Sequence, residues 1–226
     1  RRADHVTCPS EATRSDLLAA GFEPDRVSVI PLGADPVAVD PGAAAALRSH
    51  YGIDGPFVLW VGTTEPRKNL VRLVSAMEQI PDVPLVLVGP AGWKEDAASV
   101  TETLGERAHI VGRVDEATKH AWYAAADVFA MPSLLEGFGL PVLEAMGHAT
   151  PVVTSAGTAT AEVVGDTGTT VDPTDTDAIA GAISGLLADP DEASRMGEAC
   201  RQRAATMTWA VAATATADVY HRVLAS

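Results

Sequence analysis

The sequence predicts an α/β fold: a Rossmann-like doubly wound parallel sheet, with C-terminal helices added to it. Three observations predict it. Short apolar runs recur at residues 57–61, 85–88, 109–111, 128–131, 151–154 and 169–171. Stretches of helical character separate them, and regular alternation of this kind gives a parallel sheet with helices on both faces. From residue 175 onward the runs stop, and the tail reads as helices over 175–187, 191–205 and 208–224. The bulk properties fit one full domain with room for a fragment of another, since the chain has 226 residues and is 47% hydrophobic. No apolar run approaches the roughly 18 residues of a membrane span. A net charge of −14 argues against nucleic acid, which demands a basic face, and equally against direct membrane contact. Arg1-Arg2 leads into acidic and alternating residues rather than an apolar signal segment, so the cytoplasm is the expected compartment. Cys8 and Cys200 have no metal or redox spacing and read as buried free thiols.

In chain order, residues 4–8 read as a short strand. Ser10 then N-caps a helix to about Ala20, ended by Gly21. Residues 27–30 are a second strand and 31–36 a turn-rich link. The regular pattern starts at Gly55: strand 57–61, helix 69–79, strand 85–88, a turn at 89–92 and a polar helix after it. Strand 109–111, helix 116–125 and strand 128–131 follow. The chain then passes two glycines and enters a helix with Pro141 in its first turn, where the missing N–H is harmless. Strand 151–154, a short helix near Glu162 and strand 169–171 complete the sheet. The acidic cluster Asp172, Asp175 and Asp177 reads as helix capping at Thr174 or Asp175 rather than a metal site, and the six histidines are scattered without metal spacing. There is no P-loop and no complete Gly-rich dinucleotide fingerprint.

The junction at 132–146 is where chemistry is expected. A strand–loop–helix turn aims free backbone N–H groups at the carboxyl end of a sheet, where an anion can sit. Glu136 stands just before the glycines and Glu144 about one turn inside the helix. Backbone N–H groups suit a phosphate, and carboxylates suit the hydroxyls of a sugar or ribose, so the pattern suggests a sugar nucleotide. A second strand end, 62–69, carries Arg67 and Lys68. Cations there would stabilise charge developing on a diphosphate leaving group. The alternative is a basic pair on a solvated helix start. A third strand end, 112–119, could equally be a turn with a helix cap at Asp115.

Taken together, Glu136 and Glu144 with Gly137-Phe138-Gly139 between them and Pro151-Val152-Val153 after them resemble the sugar-donor signature of retaining family 4 glycosyltransferases. That family has the GT-B fold, two Rossmann-like domains facing across a cleft. The resemblance runs from about residue 4 to the end and covers the family's C-terminal half. It implies that residues 1–35 are a remnant of the N-terminal acceptor domain plus the linker, and that 36–226 form the nucleotide-sugar-binding domain. The other reading of 1–35 is a first βα unit of the same domain.

The resemblance also implies roles. Lys68 in Glu-Pro-Arg-Lys would reach the phosphates beside Gly62. Thr63 stands where the family usually has an arginine, which leaves Arg67 as the candidate second cation. Val114 would pass the nucleobase through its backbone, with Lys119 a further contact. Glu136 would take the sugar hydroxyls, Gly137, Phe138, Gly139 and Leu140 would offer N–H groups, and Glu144 would accept from the ribose. The run 157–166, with Glu162, would line the far side of the cleft. Ala149 replaces a common glycine, and a positive φ there would be strained unless Gly147 takes it over. The implied activity is retaining transfer of a hexose from a nucleoside-diphosphate sugar to a glycan, lipid or small-molecule acceptor, without metal or cofactor. GDP-mannose is the sugar donor these strings resemble most, with UDP-sugars the alternative. The partner is the absent N-terminal domain, which would supply any membrane association, so the isolated chain is expected to bind sugar nucleotide weakly and transfer nothing. The competing reading is a non-catalytic sugar-nucleotide-binding subunit of a split enzyme; an epimerase lacks support from the glutamate spacing.

Overall fold

The structure, a computed structural model, describes residues 3–92 and 96–225. Arg1-Arg2 and the start of the expected polar helix at 93–95 lie outside the described residues. The first segment builds its own small sheet. β1 (Val6–Cys8) and β2 (Val27–Val29) pair in parallel, joined by α1 (Glu11–Ala19). Ser10 caps α1 as expected, its side chain accepting the Thr13 N–H. Next comes α2 (Pro41–His50), which the sequence reading left unassigned. Its start is encoded locally: Asp40 accepts the Gly42 N–H and Pro41 occupies the first turn. Arg48 of α2 ties the helix down, pairing with Asp127 at 2.6 Å while Asp127 accepts the Phe57 N–H.

The main body follows the predicted alternation closely. Its elements are β3 (Val58–Val61), α3 (Leu70–Glu78), β4 (Leu85–Val88), the short α4 (Ala97–Val100) and β5 (Ala108–Gly112). After these come α5 (Glu116–Ala125), β6 (Val128–Met131), α6 (Leu140–Gly147), β7 (Val152–Ser155), α7 (Ala159–Val164) and β8 (Thr169–Val171). α8 (Thr176–Ala188), α9 (Pro190–Ala204) and α10 (Trp209–Leu224) close the chain. The six strands are all parallel, in the order β5-β4-β3-β6-β7-β8. The chain thus winds outward from β3 to one edge, returns, and winds outward from β6 to the other. Between β3 and β6 the direction of winding reverses, and a crevice opens at their carboxyl ends.

Side-chain alternation along the strands fills two cores. Leu59, Val61, Phe129 and Met131 pack with Trp122 and Leu143 on one face. Val58, Trp60, Val128 and Ala130 pack with Leu73, Met77 and Ile183 on the other. α10 lies apart from both, resting Ala212 and Val219 on Ile30 and leaving Trp209, Val211, Tyr220 and Leu224 exposed. Cys8 and Cys200 are free and buried, and burial raises both thiols. Among the described residues no helix is long and apolar enough to cross a membrane.

Ala149 takes φ +57 in the turn after α6, so Gly147 does not relieve it. Gly197 of α9 packs so close that a Cβ there would fall 2.0 Å from the Ala149 carbonyl oxygen. The turn is therefore held in the left-handed region at a cost of roughly 1–2 kcal/mol. Ala149→Gly removes that strain but adds freedom to the unfolded chain, for a net gain of about 0.5–1 kcal/mol. A Tm higher by about 2 °C is expected in a thermal melt; an unchanged or lower Tm would show the turn to be unstrained.

Candidate functional site

The crevice between β3 and β6 is built by two loops that fasten each other. After β3, residues 66–68 form a 3₁₀ turn, and Asn69 ends it at φ 59, a conformation asparagine tolerates. The Asn69 amide donates to the carbonyls of Pro132 (2.8 Å) and Pro173 (2.7 Å). The Leu134 N–H donates back to the Arg67 carbonyl at 2.7 Å. This stitching brings three of the anticipated residues together. Lys68 Nζ lies 2.6 Å from Glu136 Oε1, and Arg67 Nη1 lies 3.0 Å from Glu136 Oε2. Lys68 and Glu136 are both buried. The Lys68 contact is an ion pair without hydrogen-bond alignment, since Oε1 accepts no aligned hydrogen bond. Arg67 also binds Glu65 through Nε at 2.9 Å. Lys68 thus sits in the turn before α3, where the helix dipole alone would disfavour a cation and Glu136 offsets it. Thr63 lies half-buried on the same loop and joins neither ion pair.

Past Glu136 the chain turns into α6. Gly139 adopts φ +107 and its Cα abuts Thr160, where a Cβ would come within 2.6 Å of the methyl group. The Phe138 ring is buried in the first core, so only its backbone faces the crevice side. Gly137 needs no special φ, and a Cβ there would meet nothing within 4 Å. Among the described residues, the N–H groups of Gly137, Phe138, Gly139 and Leu140 donate to no protein acceptor. Phe138 and Gly139 are buried, Leu140 is half-buried and Gly137 is exposed. Free N–H groups at a helix start near two cations suit an anionic ligand.

A second cluster surrounds Glu144. Lys119 Nζ reaches Glu144 Oε1 at 3.1 Å and Glu116 at 2.8 Å, and the Tyr123 hydroxyl donates to Glu144 Oε2 at 2.9 Å. Burial, reinforced by the Glu144 charge, pushes the Tyr123 phenol well above its ordinary value, so it stays a neutral hydrogen-bond donor. Burial works against the Lys119 charge, but its two carboxylate partners outweigh it and raise the ammonium. His120 completes the cluster, its Nδ1 lying 2.8 Å from His148 Nε2. Burial lowers both rings, His148 to about 4. Contrary to the scattered histidines of the sequence reading, Glu116, His120 and Glu144 place possible metal-ligand atoms within 4.8 Å of one another. The Lys119 ammonium already bridges both carboxylates there.

Val114 follows Gly112 at the end of β5 and packs partly on the first core. Asp115 caps α5 by accepting the Thr118 N–H. Sequence reasoning missed Asn69, Tyr123 and Ser10 as site-shaping residues, and placed Glu162 in a cleft-lining run without its contacts to α1. Tyr123 was within reach of it: Lys119 and Tyr123 are four apart in one helix and share a face. The contacts of Asn69, Ser10 and Glu162 are set by the tertiary fold and leave no local signal.

The comparisons with known proteins fit this geometry. A family model described as "Glycosyl transferases group 1" matches residues 55–189, more than half of the chain. The chain belongs to the group 1 glycosyl transferases. A second family model, "Glycosyltransferase Family 4", matches residues 1–37 of this group 1 chain. A GDP-mannose-dependent alpha-(1-6)-phosphatidylinositol monomannoside mannosyltransferase of Mycolicibacterium smegmatis is 37% identical over 88% of the chain and 57% of its own length. Sucrose-phosphate synthase from Thermosynechococcus elongatus matches with a TM-score of 0.88 at 33% identity, over 99% of this chain and 59% of that one. Anabaena Alr3699/HepE, solved with UDP-glucose, shares the fold with a TM-score of 0.91 at 22% identity, over 98% of this chain and 65% of that one. The group 1 chain therefore spans somewhat more than half the length of these relatives. Its fold is the Rossmann-like one of the GT-B glycosyltransferases, and it corresponds to a C-terminal domain of family 4.

Proposed function

We propose that this group 1 glycosyl transferase binds a nucleoside-diphosphate sugar in the crevice between β3 and β6 and serves retaining transfer of its hexose. The observation that carries the reading is the run of unpartnered N–H groups at 137–140 near the buried Lys68 and the exposed Arg67. An ammonium has three N–H donors and a guanidinium five, so both cations keep Glu136 and still have N–H groups for a diphosphate. Glu136 takes the hydroxyls of the sugar, and the remaining lone pairs of Glu144 take those of the ribose while Lys119 and Tyr123 hold the carboxylate. The nucleobase lies along the Gly112–Val114 backbone. In the transfer, the bond from the anomeric carbon to the diphosphate oxygen breaks. The acceptor oxygen bonds to that carbon on the same face, and its proton passes to the departing phosphate. Lys68 and Arg67 stabilise the charge that builds on the leaving group, the step where preorganised cations matter most.

GDP-mannose is the proposed sugar donor, supported by the named activity of the mannosyltransferase relative. UDP-glucose, bound by the Anabaena neighbour, is the alternative. Residues 1–35 are proposed to belong to the acceptor side of the cleft and 36–226 to the sugar-nucleotide side. Acceptor choice then rests with the part of the relatives that this chain does not span, and the chain alone binds sugar nucleotide without turning it over. No metal is proposed to take part. Calorimetric titration with GDP, UDP and ADP tests the reading. GDP is expected to bind tightest, and Glu144→Ala to weaken it about tenfold through loss of charged hydrogen bonds to the ribose. Absence of binding by all three nucleotides would overturn it, and a preference for UDP would reassign the base.

A further inference from the structure

Glu162 of α7 spans to a part of the chain that is distant in sequence. Its Oε2 accepts the Glu11 N–H at 2.8 Å and its Oε1 accepts the Ala12 N–H at 2.7 Å. These are first-turn N–H groups of α1, which have no intrahelical partner and carry the positive end of the helix dipole. One carboxylate therefore fastens α1 to α7. The anchor itself is fixed, because Arg203 of α9 donates to the carbonyls of Val163 (2.7 Å) and Glu162 (2.8 Å).

α1 in turn reaches the anion-binding turn. Its capping residue, the buried Ser10, donates from Oγ to the Gly137 carbonyl at 2.8 Å, with the Thr13 hydroxyl 3.3 Å from the same oxygen. A trans peptide is planar, with its C=O and N–H pointing opposite ways. Holding the Gly137 carbonyl toward α1 thus aims the Phe138 N–H away from it, and that N–H has no protein acceptor. The far side of the same turn is gripped by α7 as well, through the close approach of Thr160 to Gly139. Without Ser10 only the longer Thr13 hydrogen bond holds the Gly137 carbonyl from this side, and the open space around Gly137 lets the 137–138 peptide plane shift.

We propose that Glu162 is a positioning residue for sugar-nucleotide binding: it docks α1, and α1 through Ser10 presets the Phe138 N–H for the anion. The proposal rests on the crevice being the sugar-nucleotide site, but its first test is independent of any ligand. In the nucleotide-free chain, Glu162→Ala is expected to speed amide exchange at Glu11 and Ala12 and also to shift and speed the Phe138 amide, followed by NMR. Glu162→Gln, which keeps one acceptor oxygen, is expected to lie between. With GDP as probe, Glu162→Ala and Ser10→Ala are each expected to weaken binding about fivefold, the scale of one misaligned charge-assisted hydrogen bond. The double variant is expected to be no weaker than either single, because both cut the same chain of contacts. An unmoved Phe138 amide in Glu162→Ala, or additive losses in the double variant, would overturn the proposal. If the parent binds no nucleotide, the reading of the crevice fails, while the exchange result still decides whether Glu162 sets the turn.

Discussion

Lys68→Ala is expected to lower the affinity for GDP by about 30-fold to 100-fold, the loss of a charge-assisted contact of roughly 2–3 kcal/mol. The same change is expected to destabilise the fold by about 2 kcal/mol, since a buried carboxylate loses one of its two cations. The side chains of Lys68 and Glu136 are only 7% and 8% exposed, so water cannot replace the lost partner, while Arg67 at 3.0 Å limits the damage. Glu136→Gln separates the two effects. It also destabilises, because Lys68 is then buried without its carboxylate. Yet it leaves two cations facing the diphosphate without a competing anion, so GDP, which has no sugar to lose contact with, should bind several-fold more tightly. Thermal melts and calorimetry on the two variants read both quantities. Equal GDP affinity for Lys68→Ala and the parent would remove Lys68 from the phosphate site.

Much of this was legible in the sequence because the determinants are local. The β3 to β8 strands announce themselves as apolar runs. Pro141 and the caps Ser10, Asp115 and Asp175 mark helix starts by a mechanism that acts within four residues. α2 was overlooked because its alanines carry no periodic contrast, although the Asp40-Pro41 start was there to read. The crevice was legible only in outline. That Arg67, Lys68 and Glu136 should converge follows from two strand ends facing each other at the reversal between β3 and β6. The order of the strands is not written in any one of them. The partners of Glu144 lie on a neighbouring helix, and the link from Glu162 to Ser10 to Gly137 crosses well over a hundred residues. Such contacts depend on how helices pack, and each member alone looks like an ordinary surface or cap residue.

The His120–His148 pair gives the stability of this protein a pH dependence whose sign is fixed by burial. His148 sits between α6 and the turn to β7, beside a cavity of about 80 Å³ that Asp35, Glu144, Arg201 and His120 also line. Glu116, Lys119 and Tyr123 face the pair from α5. Burial, and then the neighbouring His120, lower His148 from 6.5 to about 4, and burial lowers His120 and the more distant His109 in the same direction. As pH falls below 6.5 the unfolded chain takes up protons at these rings while the folded chain does not, so the unfolded state is favoured. The stability present above pH 7 is therefore lost between about 6.5 and 4, a loss of about 2 kcal/mol for His148 after allowing for its partial contact with water. The carboxylates held low, such as Glu198 at about 2, lose their favourable pairing only at lower pH and do not fill this window. Urea unfolding at pH 7.5 and 5.0, which spans the upper part of that window, should show the parent losing about 1–2 kcal/mol and His148→Asn losing about 1 kcal/mol less. Equal losses in the two proteins would mean that His148 protonates in the fold as readily as it does in the unfolded chain.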